Sequence, residues 1–426
     1  MGIEETLSFI HEKCWKGSRL GLSRITELLH RMRDPHKQLK YVHIAGTNGK
    51  GSTAAMMASI LQRAGYRVGL YTSPYLSRFN ERMQINGVSI SDDALIALTA
   101  EASRHVEAMQ DRPTEFELIT ALAFRYFQQE CCDIVVLEVG LGGRLDSTNV
   151  IPAPEVAVIT HIALDHTEIL GETLEKIAVE KAGIIKASTP AVVLYEQSEV
   201  VEAVIRNRCG EANASLTITE RSALRVVSAS LSGQMLCYRE RTDLALSLLG
   251  TYQAENAAVV LDTADALRHL GWQISEQAIR DGLQSAAWPG RFEVLSLRPV
   301  VILDGAHNPD GIRALTNGLT QYLPKQPITF LVGLMADKDY PKMLRILVPF
   351  AKRFVTVTPD NKRALPSAEL QKSLQRVFHG EVLDGGSVIN GLALLHDTTE
   401  KDDIVCICGS LYMAGEVRES ILQRGV

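Results

Sequence analysis

The spacing of apolar residues predicts two kinds of element in alternation. Short continuous apolar runs at 41–45, 68–71, 134–138, 156–159 and 191–194 have the length and β-branched content of strands buried on both faces. Between them the period lengthens to that of helices, at 53–64, 92–109, 115–129 and 174–181, with Gly65 ending the first. Two short helices rich in Lys, Arg and Glu are expected in the first 40 residues. Strands alternating with helices imply a parallel sheet covered on both sides, an α/β fold.

From about 214 to 249 the period shortens to runs such as Leu216-Thr217-Ile218-Thr219 and Leu224-Arg225-Val226-Val227, predicting antiparallel strands that decorate the first domain. Helices return at 256–270 and 276–283. The stretch Ala287-Trp288-Pro289-Gly290-Arg291 gathers the breaker residues of an inter-domain hinge. Beyond it, strand patterns at 300–303, 328–334, 354–358 and 404–408 restart the alternation in a smaller doubly wound α/β domain. The expected division is 1–288 and 289–426.

Composition narrows the class. A chain of 426 residues is long for one core, and 46% hydrophobic with 22% charged residues is ordinary for a soluble globular protein. A net charge of −6 argues against a broad nucleic-acid-binding face but permits an anionic small substrate where positive charge is concentrated. The 7 cysteines are odd in number and widely spaced, unlike a disulfide framework, and Cys406 and Cys408 read as core residues of a strand. Met1-Gly2 followed by Thr6 has the form of a myristoylation pattern, read as coincidence because two acids intervene. No secretory leader and no membrane-length apolar run is present. The expectation is a cytoplasmic monomer with neither membrane nor nucleic acid as partner.

The chemistry-bearing residues fall at predicted strand ends. Gly46-Thr47-Asn48-Gly49-Lys50-Gly51-Ser52-Thr53 lies between a strand and a helix. Its glycines let backbone N–H groups curl toward phosphate oxygens, Lys50 is placed to reach the outer phosphates, and Ser52 or Thr53 to meet a metal. Gly51 separates the lysine from the serine, so this is not a standard Walker A loop. Glu138 ends an apolar strand at the carboxyl edge where open α/β sheets bind ligands, and a carboxylate there suits Mg²⁺. Asp165-His166 follows another buried strand, where a lone histidine reads as structural; His161 is also read as structural. By pattern alone, Lys181 is a surface lysine on a helix. Arg291 is either a linker arginine or a clamp on phosphate. Asp304 at a strand end suits a ribose hydroxyl, and Asn256 reads as a helix N-cap.

In order along the chain, these segments resemble those of folylpolyglutamate and dihydrofolate synthases, members of the Mur ligase superfamily. Besides the glycine-rich loop, the resemblance rests on Tyr71-Thr72-Ser73-Pro74-Tyr75-Leu76 with Phe79-Asn80-Glu81-Arg82, on Thr114-Glu115-Phe116-Glu117, and on Leu137 to Asp146. It continues in Ile159 to His166, Glu180-Lys181-Ala182-Gly183-Ile184 and Asp304-Gly305-Ala306-His307-Asn308-Pro309. The likeness implies a phosphate-loop-containing, Mur-ligase-like first domain and an ATP- and Mg²⁺-dependent ligase joining L-glutamate to dihydropteroate or a reduced folate, with both activities in one chain.

By the same resemblance, Ser73, Glu138 and His166 are expected to hold magnesium, and Lys181 to carry a carbamate that binds a second ion. ATP is assigned to Asn48, Gly49, Lys50, Gly51, Ser52 and Thr53, with Asn256 at the adenine, Asp304 at the ribose and Arg291 at the phosphates. The pteroate acceptor is assigned to Thr114, Glu115, Phe116, Glu117, Leu145, Asp146 and Ser147, and glutamate to His307 and Ser410. Lys50, Lys181, Arg291 and His307 are the expected catalytic set. Glu115 and Ser147 match less closely, which leaves the acceptor open. A cell-wall Mur ligase is disfavoured by Gly51 and Phe116-Glu117, and a nucleotide-binding switch leaves Asp304 and His307 without a role.

Overall fold

The computed structural model describes residues 2–12, 14 and 19–424; Met1, and with it the start of the myristoylation-like pattern, lies outside them. Eight strands form the first sheet: β1 Tyr41–Ala45, β2 Val68–Tyr71, β3 Met83–Ile85, β4 Val88–Ser89, β5 Ile134–Glu138, β6 Val156–Ile159, β7 Ala191–Tyr195 and β8 Ser215–Thr219, in spatial order β4-β3-β2-β5-β1-β6-β7-β8. All pairings from β2 to β8 are parallel, and β3 and β4 add an antiparallel edge.

Alternation within the strands explains why their apolar runs are unbroken. Val42, Ile44, Val136 and Val158 point to one face, against the helices Lys50–Arg63 and Thr251–His269. Tyr41, Val135 and Leu137 point to the other, against Ser23–Arg31 and Glu115–Gln129. Both faces bury apolar area, so no polar alternation is needed.

A second, three-stranded antiparallel sheet comprises β9 Leu224–Ser230, β10 Gly233–Tyr238 and β11 Arg241–Leu246. Leu236, Tyr238, Leu244 and Leu246 join the core beneath Thr251–His269. The expectation that all of 214–249 is antiparallel is corrected at its start: Leu216–Thr219 belongs to β8, which extends the parallel sheet beside β7. Its solvent-side edge position gives it the alternating pattern of an antiparallel strand. The helix Glu199–Ala212, which carries β7 over to β8, was not in the expected set.

The third sheet has the order β12-β13-β17-β14-β15-β16, with β12 Glu293–Leu297, β13 Val300–Asp304, β14 Ile328–Val332, β15 Ala351–Thr358, β16 Glu381–Ser387 and β17 Ile404–Cys408. Only β12 pairs antiparallel, so this is a doubly wound domain with a mixed sheet. Leu315, Leu344 and Leu370 cover one face, and Val388, Met413 and Val417 the other. Cys406 and Cys408 are buried in β17, and all 7 cysteines are free. No helix among the described residues is long and apolar enough to cross a membrane.

Candidate active site

The carboxyl ends of β1, β5 and β6 open on a cleft of about 1000 Å³ whose far wall comes from the third sheet's domain. Asn48, Gly49, Lys50, Gly51, Ser52, Ser73, Glu138, His166, Lys181, Asn256, Arg291, Asp304 and His307 all line it. Residues as far apart as 48 and 307 are therefore brought to one space at the sheet edges where α/β folds place ligands.

The loop after β1 is more sharply built than its sequence suggested. The helix begins at Lys50, not Thr53, and its first i→i−4 bond runs from Thr53 N–H to the Gly49 carbonyl at 2.9 Å. The N–H groups of Lys50, Gly51 and Ser52 thus have no acceptor within the helix and form the anion-binding end. Thr47 and Asn48 N–H are instead committed to the His161 carbonyl at 2.7 and 3.2 Å, which fixes the loop from below. At Gly49, φ is +88° and a Cβ would stand 2.4 Å from Asn256 Oδ1, so only glycine fits. At Gly51 a Cβ would meet the Trp288 ring at 2.5 Å, because the hinge indole lies on the first helical turn.

Charge is concentrated here. Lys50 Nζ donates to the carbonyls of Gly46 and Thr47 at 3.1 and 3.2 Å, and Lys181 Nζ donates to the same Gly46 carbonyl at 2.8 Å. Lys181 is 3% exposed, which corrects the surface reading from pattern alone. Burial, reinforced by the Lys50 charge, pulls its pKa down to about 7. Across the cleft Glu138, 5% exposed, accepts from Ser73 N–H at 3.0 Å. Burial raises its pKa against the pull of Lys50, that N–H, Arg291 and Arg82.

The nucleotide-side helix Thr251–His269 starts earlier than expected, so Asn256 sits in its second turn and is no N-cap. Gln253 and Asn256 share one face of it: Gln253 Nε2 donates to Ser52 Oγ at 3.0 Å and Asn256 Nδ2 donates to Gln253 Oε1 at 3.1 Å. Thr53 Oγ1 is buried with no partner.

The second domain contributes Asp304, whose Oδ1 accepts from Ala306 N–H at 2.7 Å and whose Oδ2 accepts from Phe292 N–H at 2.8 Å and Tyr252 O–H at 3.4 Å. Burial raises its pKa. His307 is held by Gly305, its Nδ1 2.9 Å from that carbonyl, and burial lowers its pKa to about 4. Arg291 projects between the domains, with Nη1 3.3 Å from the Gly290 carbonyl. His166, at φ +49° in the turn after β6, has its pKa lowered by burial.

The remaining sequence candidates lie outside the cleft lining. Thr114 and Glu117 form a capping box for Glu115–Gln129, and Glu117 pairs with buried Arg24 at 3.0 Å. Glu115 stands 3.2 Å from His11 Nδ1. Phe116 packs against Gly140 and tilts onto Tyr71 at 6.1 Å. Leu145 is half-buried; Ser147 is buried in the turn capped by Asp146. Ser410 is buried where the last helix begins, 3.5 Å from Met413 N–H. Sequence reasoning passed over Tyr252 and Gln253, although their four- and three-residue spacing from Asn256 puts them on the same side of one helix.

Known families describe the same two-part layout. The Mur ligase middle domain matches residues 44–264, and the Mur ligase glutamate ligase domain matches residues 290–411. The chain is 39% identical to the folylpolyglutamate synthase of Lacticaseibacillus casei, covering 99% of each chain. It is 38% identical to the dihydrofolate synthase/folylpolyglutamate synthase of Bacillus subtilis (strain 168), covering 98% of this chain and 99% of that one. Among solved structures, Escherichia coli FolC in complex with DHPP and ADP superposes with a TM-score of 0.87 at 33% identity, covering 100% of this chain and 99% of that one. Mycobacterium tuberculosis folylpolyglutamate synthase complexed with ADP and AMPPCP superposes at 0.88, with 31% identity and 98% of each chain covered. The fold and site define a Mur-type ligase, an ATP-dependent class of enzyme. Within it, the chain belongs to the folylpolyglutamate synthase and dihydrofolate synthase family.

Proposed function

We propose that this enzyme uses ATP to join L-glutamate to a pteroate-type carboxylate, accepting both dihydropteroate and reduced folates. The observation that carries this reading is the meeting of Lys50, Glu138 and Lys181 from the first sheet with Arg291, Asp304 and His307 from the second domain in one cleft. An acyl phosphate needs a site assembled from two lobes, because water must be excluded while the activated acid waits for an amine.

In this reading the free N–H groups of Lys50, Gly51 and Ser52 hold the phosphates of ATP, and Lys50 and Arg291 offset the charge that develops on the transferring phosphoryl group. Asn256 faces the base and Asp304 the ribose. His307 and Ser410 are assigned to glutamate, whose amine attacks the acyl phosphate and expels phosphate. Phe116, Asp146 and their neighbours at 114–117 and 145–147 are assigned to the acceptor.

The residues present fit magnesium. Among the described residues no three His, Cys, Asp or Glu side chains converge on a point, so an ion here must draw most of its shell from phosphate and water, as Mg²⁺ does. Glu138, Ser73 and His166 would hold it, and the buried Thr53 hydroxyl is free to support it. Bound there, Mg²⁺ would polarise the phosphoryl oxygens. Lys181, whose amine loses its proton as pH rises through about 7, is suited to carbamate formation, which would turn a buried cation into an anion.

The test is one assay: purified protein, ATP, Mg²⁺ and L-glutamate, with dihydropteroate or tetrahydrofolate, the products identified by mass. Addition of one glutamate residue to both acceptors with matching ADP release is expected. Product from tetrahydrofolate alone would remove the dihydrofolate synthase half. ADP release that ignores acceptor and glutamate would overturn the ligase reading.

A further inference from the structure

Beneath the acceptor wall lies a buried polar line whose His43 and Thr148 none of the roles above uses. His43, in the middle of β1, is fully buried, and its Nε2 stands 2.9 Å from Thr148 Oγ1. The Thr148 hydroxyl is 2.6 Å from Asp146 Oδ1, and Thr148 N–H donates to the same oxygen at 3.0 Å. Asp146 Oδ2 in turn accepts from Leu141 N–H at 2.8 Å.

The direction of this chain follows from donor counting. Backbone N–H groups of Leu141 and Thr148 hold Asp146 as an acceptor against the burial that raises its pKa, so the Thr148 proton points at Asp146, and the hydroxyl is left to accept from the ring. His43 must therefore carry its hydrogen on Nε2. Its Nδ1 is bare, buried and without a partner. Burial lowers the pKa of the ring to about 3, which keeps it neutral. Asp146 thus receives a relayed donor on one oxygen and a backbone donor from the cleft-lining turn on the other. Phe116 and Asp146 Oδ2 both abut Gly140 of that turn.

We propose that His43 and Thr148 are positioning residues for the acceptor: through Asp146 they set the turn at Gly140–Gly142 and present a charged, oriented carboxylate to a heterocycle bearing N–H donors. This rests on the reading that Phe116 and Asp146 face the pteroate head. A core hydrogen-bond network with a purely structural role is the competing account, and it predicts loss of stability without any preference among substrates.

The experiment compares wild type with Thr148→Val, Thr148→Ser and His43→Leu. In Thr148→Val the KM for the pteroate acceptor should rise about tenfold, the value of one hydrogen bond to a charged group, while the KM for ATP stays within about twofold. Thr148→Ser, which restores the hydroxyl, should return it to within about threefold of wild type. Equal changes in both KM values, or a fall in melting temperature with the acceptor KM unmoved, would overturn the proposal.

If Thr148→Val does not fold, His43→Leu keeps the core filled without a donor and must show the same one-sided rise, and its failure to do so counts equally against the idea. Histidine ¹⁵N spectra give a readout free of turnover. One of the 11 histidines should be a non-titrating Nε2–H tautomer from about pH 5.5 to 8 whose signal shifts in Thr148→Val. A titrating His43 or an Nδ1–H tautomer would break the relay. Absence of ligase activity in wild type would sink the functional reading instead, and the spectra would still decide the relay.

Discussion

The nucleotide side of the cleft and its acceptor side treat buried polarity in opposite ways. At the phosphate loop, two ammonium groups converge on one carbonyl, Gly46, while Glu138 stands opposite with a single backbone donor and the Thr53 hydroxyl has none. On the wall at 114–117, Thr114 and Glu117 are each held by two or more internal hydrogen bonds or ion pairs. Buried polar groups are normally paired, so the under-paired set marks where a ligand completes the bonding, and the saturated set marks a wall that shapes the space. The same residue type therefore sits differently on the two sides: Glu138 is a buried carboxylate with one backbone donor, whereas Glu117 braces Arg24.

The contrast fails first at Lys50. Lys50→Ala should lower kcat/KM by at least about 10³ with the melting temperature little changed, since the lysine contributes only two carbonyl contacts to the fold. Activity within tenfold of wild type would place phosphate recognition elsewhere. Arg24→Ala tests the other side. It leaves Glu117 buried without its cation and should cost about 3 kcal/mol of stability, seen as an earlier denaturant midpoint, while kcat of the folded protein stays within about threefold. A large loss of kcat at unchanged stability would make that wall part of the chemistry.

Lys181 gives a smaller effect with a defined pH course. Its pKa of about 7 lies below the ordinary lysine value of 10.5, so the proton leaves as pH rises through 7 and only then does the amine react with CO₂. Enzyme depleted of CO₂ should recover about tenfold in activity when bicarbonate is added, with recovery rising from about pH 6 to 8 and then levelling, as expected for a lysine so depressed. A recovery that keeps climbing to pH 10 would indicate an ordinary exposed amine. Smallest of all, Thr114→Ala removes a helix cap and should cost about 1 kcal/mol in thermal or denaturant unfolding, leaving the KM for ATP within about twofold.

Much of the fold was legible because parallel strands buried on both faces spell themselves as unbroken apolar runs: β1, β2, β5, β6, β7 and β17 lie where those runs fall. Of the strands missed, β4, β12 and β16 sit at sheet edges, where half the surface meets solvent and no such run is required, and β3 is a three-residue strand inside the two-residue β4. The helix start at Lys50 was misplaced because Gly51 and Ser52 look like loop, whereas Trp288 packs on Gly51 in the first helical turn. The cleft residues were readable one by one at strand ends. Their partners were not: that Thr47 and Asn48 are tied to His161, or that Asp304 takes a hydroxyl from Tyr252, depends on chain segments brought together only by the tertiary fold.

Trp288 has a practical consequence. The indole belongs to the segment that joins the two lobes, yet it rests on the first turn of the helix after β1. Any ligand that settles on that turn alters the indole's surroundings, so its fluorescence is a direct readout of occupancy there. Trp272, stacked edge-on against Tyr66 at 5.1 Å outside the cleft lining, supplies a steady background against which that signal can be read.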